Sequence, residues 1–371
     1  MTLHIFNPEH DIALASGLAN FTAPHAGRQL RHDLGYMPAL WASDGDALLT
    51  DDAEQARSRL SRWPQASAVD IVGRDQLSQL AIDRIEPWGW NIALRAYLLR
   101  HGVSERLMPT EAGLAEARQL SHRRQAAVLQ KELRLKCGVE RTTGEAYECR
   151  SEEEVMQLLQ QYGRIVLKAP WSSSGRGLRF LKSEGMDDMT ADGVAGLQPM
   201  NMQLKGWFRN VVAAQGSVMA EPYYPKVKDF GMEFFSDGDG RVVFLGLSLF
   251  HTENGAYSGN IVATEAMKRE QLCYYVADSL LTEVQKRLCQ LLGKMLCGKY
   301  RGPLGVDMMV VAGTNGGFLL HPCVEINLRR TMGHVAIALL YRLNPTNDDD
   351  VRHVMRIEYT EQNYKLKIYK K

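Results

Sequence analysis

The chain has 371 residues, of which 45% are hydrophobic and 23% charged, with 44 Lys and Arg against 43 Asp and Glu. This length and apolar content allow two or three domains of about 100 to 200 residues, and they exclude disordered and fibrous proteins. A net charge of +1 gives no bulk electrostatic attraction to nucleic acid or to anionic lipid. We therefore expect neither nucleic acid nor a membrane as a partner.

The sequence also indicates a cellular compartment. No apolar run approaches the roughly 18 residues that a membrane span needs, and the first residues lack the basic and apolar regions of a signal peptide. The six cysteines are spread along the chain without a CxxC pair, which favours free thiols over a zinc site or a disulfide framework. These features predict a cytoplasmic protein.

The N-terminal third alternates short apolar runs with helix-like sequence. Residues 3–6 (LHIF) and 68–73 (AVDIVG) have the character of strands. Such alternation is typical of a small layered domain. We therefore predict an α/β domain over residues 1–115.

The polar segment NPEHD (residues 7–11) follows the first predicted strand. Ligands bind at the carboxyl ends of strands in open α/β sheets, so this segment is a candidate substrate site. A polar loop that caps the next helix is an equally good explanation. The candidate contacts are Asn7, Glu9, His10 and Asp11.

The middle of the chain predicts a second, α+β unit over residues 116–216. Residues 111–136 are charged and rich in helix formers, so we place the domain boundary there. Ser151 and Glu154 form a capping-box pattern that predicts the start of a further helix. The predicted strands cover residues 142–150, 164–168 and 178–182.

A third unit, over residues 217–371, has the pattern of hairpins and helices. The turn DGDG (237–240) separates two apolar runs, and residues 281–296 carry apolar side chains at helical spacing. The polar loop 251–260 could present side chains to a substrate, although a simple hairpin loop explains it equally well. Its candidates are His251, Asn254 and Tyr257. For Trp88 and Trp90, core or interdomain packing is the simpler explanation than ligand binding.

Residues 302–333 read as two strands joined by a turn around TNGG. Apolar and polar residues alternate in the second strand, so Glu325, Asn327 and Arg329 project from one face. With the turn centred on Gly316, the predicted pairs are Val306 with Ile326, Asp307 with Glu325, and Met308 with Val324.

This register opposes two carboxylates, those of Asp307 and Glu325. At about 4.5 to 5.5 Å between Cβ atoms, their charges repel each other unless something compensates them. Mg²⁺ would do so, since it binds the oxygens of Asp, Glu and Asn and usually takes one or two carboxylates. Arg329 could then hold an anionic substrate or a transferring phosphoryl group. The alternative is a solvated sheet face on which lysines from elsewhere pair with the two carboxylates.

Pro322 could change the predicted register of the two strands. Proline fits only an edge strand or a bulge, and a bulge at this position would shift the register by one residue.

Two further segments have weaker signals. In RIVLKAPWSSSGRG a strand ends at Lys168, and the loop that follows could wrap its N–H groups around phosphate oxygens, although the loop taken alone favours an ordinary turn. It has the spacing of neither a P-loop nor a Rossmann fingerprint. In MAEPYYPKVKD, the strand around Glu221 could contact an adenine edge, and Asp229 could accept from ribose hydroxyls.

Taken in order, the three segments resemble the ATP-grasp superfamily. The resemblance covers about residues 120–335, and its most specific parts are VLKAPWSSSGRGL, MAEPYY, and GVDMM followed by CVEINLRRTMG. In that family a nucleotide lies between two α+β subdomains, and the usual reaction joins a carboxylate to an amine or thiol through an acylphosphate. The resemblance implies an ATP-grasp fold preceded by a small α/β domain, with ATP and Mg²⁺ as cofactors and Mn²⁺ as an alternative ion.

Carried over by position, the resemblance implies a nucleotide site. Lys168 would contact the phosphates, Glu221 and the backbone through Tyr223 the adenine, and Asp229 the ribose. The lid loop would contain Ser172, Ser173, Ser174, Gly175 and Gly177.

The resemblance also implies a metal site. Asp307, Glu325 and Asn327 would bind magnesium, and Arg329 would lie near the acceptor or the acylphosphate oxygens.

The chain departs from the family pattern at two places. The family's early phosphate-contacting lysine has no lysine counterpart, and Arg123 or Arg124 lies nearest to it. The ExNxR arrangement resembles that of biotin carboxylase more than that of D-alanine ligase, because Gly305 replaces the arginine two residues before the metal aspartate.

The implied activity is that of an ATP-dependent carboxylate–amine ligase. Its substrates would be a small carboxylate and an amine, a thiol or a peptide, and a homo-oligomer is left open. Two other functions are alternatives. A phosphotransferase would need the same residues. A sensor or scaffold with this fold would bind ATP without turnover, but the intact Asp307, Glu325, Asn327 and Lys168 argue against it. Analysis of the products separates the three.

Overall fold

A computed structural model describes residues 1–172, 177–186, 197–253, 256–313, 316–343 and 352–370. Three sheets organise these residues. No helix among them is long and apolar enough to cross a membrane.

The first sheet is parallel and has the order β3-β2-β1-β4. The α/β character expected of the N-terminal region is present, and the strands predicted over residues 3–6 and 68–73 are found as β1 and β3. The strands are β1 (Thr2–Ile5), β2 (Ala47–Leu49), β3 (Asp70–Val72) and β4 (Arg84–Pro87). The helices are α1 (His10–Ser16), α2 (His25–Leu34), α3 (Ala53–Leu60) and α4 (Ile92–Arg100), with 3-10 turns at Met37–Leu40, Arg74–Gln79 and Glu105–Leu107.

The helical segment predicted over residues 111–136 is interrupted. It forms α5 (Glu111–Leu120) and α6 (Arg123–Cys137). His122 begins α6, because its Nδ1 accepts a hydrogen bond from the Arg124 backbone N–H at 3.0 Å. The His122 ring also packs edge-on against Trp171, with centroids 4.7 Å apart. This tertiary contact lies at the interruption between α5 and α6, which helix propensity alone does not predict.

The second sheet has the order β5-β8-β6-β7 and is antiparallel. The capping box of Ser151 and Glu154 is confirmed. The first strand is shorter than predicted, because Thr142 and Thr143 pair instead with Leu320. The elements are β5 (Tyr147–Cys149), α7 (Glu152–Tyr162), β6 (Arg164–Lys168), β7 (Leu178–Lys182), α8 (Met202–Gln215) and β8 (Val218–Pro222).

The third sheet has the order β13-β12-β9-β10-β11-β14-β15. Its core side chains, such as Phe230 and Phe234, pack against the apolar faces of α6 and α10. The strands are β9 (Lys226–Ser236), β10 (Val242–Glu253), β11 (Ala256–Val262), β12 (Gly302–Ala312), β13 (Phe318–Asn327), β14 (His353–Thr360) and β15 (Asn363–Lys370). The helices are α9 (Glu265–Cys273), α10 (Asp278–Leu296) and α11 (Met332–Leu343).

The register of β12 and β13 confirms the opposition of the two carboxylates. Asp307 lies directly across from Glu325. Beyond Asp307 the register shifts, so Met309 faces His321 and the predicted pairing of Met308 with Val324 is wrong. Pro322 lies inside this irregularity, and because proline has no N–H to donate to the ladder, a bulge accommodates it. The turn residues 314–315 lie outside the described residues.

A glycine in α10 tests how tightly the third sheet is packed. A Cβ on Gly293 would lie 2.4 Å from the backbone oxygen of Gly240 in the turn between β9 and β10. We expect Gly293→Ala to lower the free energy of unfolding by about 1–3 kcal/mol, since backbone cannot move aside easily. Gly206 in α8 has no atom within 4 Å of the same added group, so Gly206→Ala should stabilise by up to about 1 kcal/mol. Urea denaturation of both variants measures the difference; equal effects would contradict it.

Candidate active site

A cavity of about 390 Å³ lies where the three sheets approach one another. This volume suits a small-molecule ligand. Its walls come from the segment after β1 and from α1, from the end of β6 and the loop after it, and from β9 to β13 of the third sheet. The charged residues that line it are Asp11, Arg123, Lys168, Glu233, Asp307, Glu325 and Arg329.

The opposed carboxylates of Asp307 and Glu325 form the most strongly perturbed part of the cavity. Burial and the charges of Glu325 and Glu233 raise the pKa of Asp307 to about 7. The Asn327 side-chain N–H₂ donates to Asp307 Oδ2 at 3.0 Å and offsets part of this effect. The predicted metal-site side chains are therefore neighbours, and they carry negative charge that the protein compensates only in part.

Arg123 connects this carboxylate pair to the loop after β6. Its Nη2 lies 2.9 Å from Glu325 Oε1 and donates to Ser172 Oγ at 3.3 Å. Its Nε donates to the Ala169 carbonyl at 3.0 Å. Of the two arginines nearest the family's lysine position, Arg123 thus enters the cavity. Arg124 lies elsewhere and pairs with Glu148 at 3.3 Å.

Lys168 lies at the end of β6 and reaches the cavity wall. Its Nζ lies 2.6 Å from Glu221 Oε2, and both side chains are buried. The following loop is closed at its base, because the Ala169 N–H donates to the Gly177 carbonyl at 2.9 Å. A Cβ on Gly177 would lie 2.4 Å from Ser172 Oγ, so this position requires glycine. The predicted lid residues Ser173, Ser174 and Gly175 lie outside the described residues.

Arg329 is held by the first sheet region. Its Nε and Nη2 donate to the two oxygens of Asp11 at 2.7 and 2.8 Å, and Nη2 also donates to Asn327 Oδ1 at 2.9 Å. Burial alone would lower the pKa of Arg329, but the Asp11 carboxylate raises it. In this structure Arg329 therefore orients Asn327 rather than facing the cavity with a free guanidinium.

Glu233 is a site residue that the sequence analysis missed. It lies on β9 opposite Gly305 of β12, and a Cβ on Gly305 would lie 2.6 Å from Glu233 Oε2. A Cβ on Gly333 would lie 2.0 Å from Glu233 Oε1. Two glycines thus leave room for one buried carboxylate. The only sequence signal for this position is an acidic residue in an apolar strand, FGMEFF.

Other predicted nucleotide contacts are used elsewhere in this structure. The Tyr223 backbone N–H donates to the Arg164 carbonyl at 3.0 Å, and its ring packs against Phe180 with centroids 6.4 Å apart. Asp229 lies outside the cavity, with Oδ2 2.6 Å from Lys226 Nζ. Both assignments therefore remain predictions.

Asn7 and Glu9 of the NPEHD segment have partners within the N-terminal α/β region. The Asn7 side chain exchanges hydrogen bonds with the backbone of Gly89 at 2.9 and 3.3 Å, and Glu9 pairs with Arg31 at 2.7 Å. His10 is buried, and burial lowers its pKa to about 4. Of the four candidates, Asp11 is the one that lines the cavity.

The aromatic candidates divide in the same way. Trp88 is buried and packs against Phe6 with centroids 5.1 Å apart, so the packing explanation holds, although its edge also borders the cavity. Tyr257 lines the cavity, whereas His251 does not. Asn254 lies outside the described residues.

Comparison with known proteins gives a structural relationship. No protein-family model matches the sequence. No curated protein matches it either. Solved structures, however, resemble the whole chain at a TM-score of 0.50.

N5-carboxyaminoimidazole synthetase from Staphylococcus aureus, complexed with ADP, is 12% identical; the match covers 97% of this chain and 83% of that one. Biotin carboxylase from Campylobacter jejuni, in a β,γ-ATP complex, is 14% identical over 98% of this chain and 77% of that one. The biotin carboxylase domain of Hydrogenobacter thermophilus 2-oxoglutarate carboxylase, with MgADP, ADP and bicarbonate, is 13% identical over 96% and 74%.

The chain has the ATP-grasp fold. The expected fold class, an ATP-grasp fold preceded by a small α/β region, is thus confirmed. The proposed divisions at residues 115 and 216 remain predictions. Within this ATP-grasp fold, Glu233 leaves no room for a side chain at position 305, because an added Cβ would lie 2.6 Å from its Oε2.

The ion pair of Asp11 and Arg329 should stabilise the ATP-grasp fold. We expect Asp11→Asn to lower the free energy of unfolding by about 2 kcal/mol, because it leaves the largely buried Arg329 without an anionic partner. Burial raises the pKa of Asp11, but the charge and hydrogen bonds of Arg329 lower it by more, so the pKa is lowered overall. The stability difference between wild type and Asp11→Asn should therefore be present above pH 3.8 and be lost as the pH falls below that value. Denaturant titrations at several pH values measure this.

A matched control is the pair of Arg95 and Glu105, in which the glutamate is 71% exposed. Glu105→Gln should cost less than about 1 kcal/mol, because water screens the exposed glutamate and Arg95 keeps Glu111 as a partner at 3.3 Å. A cost as large as that of Asp11→Asn would contradict the role given to burial.

Proposed function

We propose that this protein is an ATP- and Mg²⁺-dependent ligase that joins a carboxylate to an amine or thiol. The reaction would pass through an acylphosphate and release ADP and phosphate. The observation that carries the proposal is the convergence of Lys168, Arg123 and the Asp307–Glu325 pair on one cavity of an ATP-grasp fold.

The residues present fit a divalent cation. Asp307 and Glu325 oppose each other, and burial together with the charges of Glu325 and Glu233 raises the pKa of Asp307. Asn327 keeps one lone pair on Oδ1 beyond the hydrogen bond from Arg329. These three side chains would hold Mg²⁺, which when bound neutralises charge on the nucleotide phosphates. Mn²⁺ would suit the same oxygen ligands.

The chain's own cations would act on the phosphoryl group. A carboxylate is a poor electrophile, and its attack on the γ-phosphoryl group of ATP produces a mixed anhydride that an amine or thiol can open. Lys168 and Arg123 would stabilise the negative charge that this transfer redistributes. Each is now paired with a glutamate, so phosphate oxygens would have to compete with Glu221 and Glu325.

Arg329 has a positioning role in this proposal. Its guanidinium donates to Asp11, to Asn327 and, from Nη1, to the Arg330 carbonyl at 3.2 Å. It would therefore hold the Asn327 amide in place for the metal. A direct contact between Arg329 and the acylphosphate oxygens, as the family resemblance implies, would require its hydrogen bonds to Asp11 and Asn327 to break.

Product analysis tests the proposal. Purified protein is incubated with Mg-ATP and pooled amino acids, peptides and small carboxylates, and mass spectrometry searches for condensed products. A ligase releases phosphate only when both acceptor and nucleophile are present. Phosphate retained on a product would indicate a phosphotransferase, and nucleotide binding without turnover would indicate a sensor.

The variant Asp307→Asn separates function from folding. Loss of the metal carboxylate should lower kcat by about 100-fold or more. Because the folded-state pKa of Asp307 is raised, its ionisation destabilises the metal-free protein as the pH rises from about 4 to about 7. The variant should therefore melt no lower than the wild type at pH 8, by calorimetry without metal. Asp229→Ala should mainly raise KM for ATP, and unchanged activity of Asp307→Asn would exclude the proposed site.

Metal binding should compete with the proton on Asp307. With a pKa of about 7 in the metal-free protein, affinity for Mn²⁺ should fall by about tenfold for each pH unit below 6. Electron paramagnetic resonance of free Mn²⁺ measures this at pH 5 to 8. The slope should disappear in Asp307→Asn, and a wild-type affinity independent of pH would contradict the assignment.

A further inference from the structure

One wall of the cavity is formed by neighbouring strands of the third sheet. Glu233 lies on β9, Ser248 on β10, and Tyr257 and Asn260 on β11, and all four line the cavity. The Asn260 side-chain N–H₂ donates to Ser248 Oγ at 2.8 Å. We call these four residues the β9–β11 wall.

The β9–β11 wall contains buried polar atoms without a hydrogen-bond partner among the described residues. They are Tyr257 Oη and Asn260 Oδ1, and Asn260 is only 1% exposed. A buried polar group that lacks a partner is unfavourable, so a ligand that satisfies it is expected. Both atoms can accept a hydrogen bond.

Glu233 adds a third acceptor. The glutamate is 3% exposed, and its Oε2 lies 3.0 Å from His334 Nδ1. That nitrogen already accepts from the Thr331 backbone N–H at 3.1 Å, while Nε2 lies 3.2 Å from the Phe234 carbonyl and must carry the proton. His334 therefore turns a lone pair, not a proton, toward Glu233. Consistent with this, Oε2 has no hydrogen-bond donor among the described residues.

The nearby cations are committed to other partners. Arg123 pairs with Glu325, Lys168 with Glu221, and Arg329 with Asp11. Lys268 does not line the cavity; its Nζ donates to the Leu247 carbonyl at 2.6 Å and lies 3.4 Å from Glu265 Oε2. The described residues also contain no group of three His, Cys, Asp or Glu side chains arranged to hold a metal ion, so Glu233 does not form one with Asp307 and Glu325.

We propose that Glu233, Tyr257 and Asn260 bind the ammonium group of a primary amine, which makes an amine rather than a thiol the nucleophile. The inference rests on the proposed ligase function and names the substrate class of that site. An ammonium group carries three N–H donors and one positive charge, which match three acceptors and one carboxylate. A thiol or hydroxyl offers a single donor and leaves Glu233 without a counter-charge.

An isosteric series of probes tests this inference. Ethanolamine, ethylene glycol and 2-mercaptoethanol differ at one terminal group. Saturation-transfer NMR measures their binding to the full chain, with and without Mg²⁺ and a non-hydrolysable ATP analogue. We expect ethanolamine to bind at least tenfold more tightly than the other two probes.

Two variants of the wall carry the second part of the test. Glu233→Gln keeps the shape, removes the negative charge, and should weaken ethanolamine binding at least tenfold. Tyr257→Phe removes a hydroxyl without a hydrogen-bond partner among the described residues, so the variant should fold as the wild type does and bind ethanolamine severalfold more weakly. The control Glu283→Gln removes a carboxylate on α10 that pairs with Arg141, away from the cavity, and should change nothing.

The outcomes distinguish this inference from the proposed function. Equal binding of the three probes, no binding of ethanolamine, or unchanged affinity in Glu233→Gln would each overturn the amine subsite, even if the nucleotide binds. Failure to bind the ATP analogue would instead overturn the ligase proposal. In that case, ethanolamine binding to the nucleotide-free protein would still test whether the β9–β11 wall binds an ammonium group.

Discussion

The repulsion between Asp307 and Glu325 is the constraint on which the site depends. Two carboxylates face each other across β12 and β13 in a partly buried cavity, where like charges destabilise the ladder. The protein compensates from both sides. Arg123 at the start of α6 pairs with Glu325, and Asn327 donates to Asp307. The ion pair that offsets this repulsion therefore also connects the third sheet to α6.

The compensation is incomplete, and this explains the chemistry that the cavity can support. Arg329 is balanced by Asp11 and Lys168 by Glu221, so neither neutralises the carboxylate pair directly. Burial and the charges of Glu325 and Glu233 raise the pKa of Asp307, and the negative charge that remains favours a cation there. Arg123 and Lys168 lie on one side of the cavity, and the acceptors of the β9–β11 wall lie on another. Such a cavity can hold an anionic group and a cationic group side by side. Such separation of charge is what a reaction between a phosphorylated acceptor and an amine requires.

Local patterns in the sequence predicted much of this arrangement. A turn centred on Gly316 and the apolar pairs of the hairpin predicted Glu325 opposite Asp307, because an apolar face specifies the register of paired strands. The ranges of β6 and β7 and the capping box at Ser151 followed from equally local signals. Prediction failed at Met308, where the bulge near Pro322 shifts the ladder. The hairpin β14–β15 was not predicted, because its residues carry no motif, and its strands are defined by the pairing of β14 with β11 and of β15 with β14.

By itself, the sequence determined the alternating α/β start, the strand that ends at Lys168, and the side chains that share a face of β13. These depend on residues a few positions apart, whose geometry the backbone period fixes. Only the tertiary structure decided that Arg123 rather than Arg124 enters the cavity, and that Asp11 holds Arg329 across a separation of 318 residues. It also decided that Glu233 is buried beside Gly305 and Gly333. Contacts between distant segments depend on how the sheets pack, and no local periodicity encodes that packing.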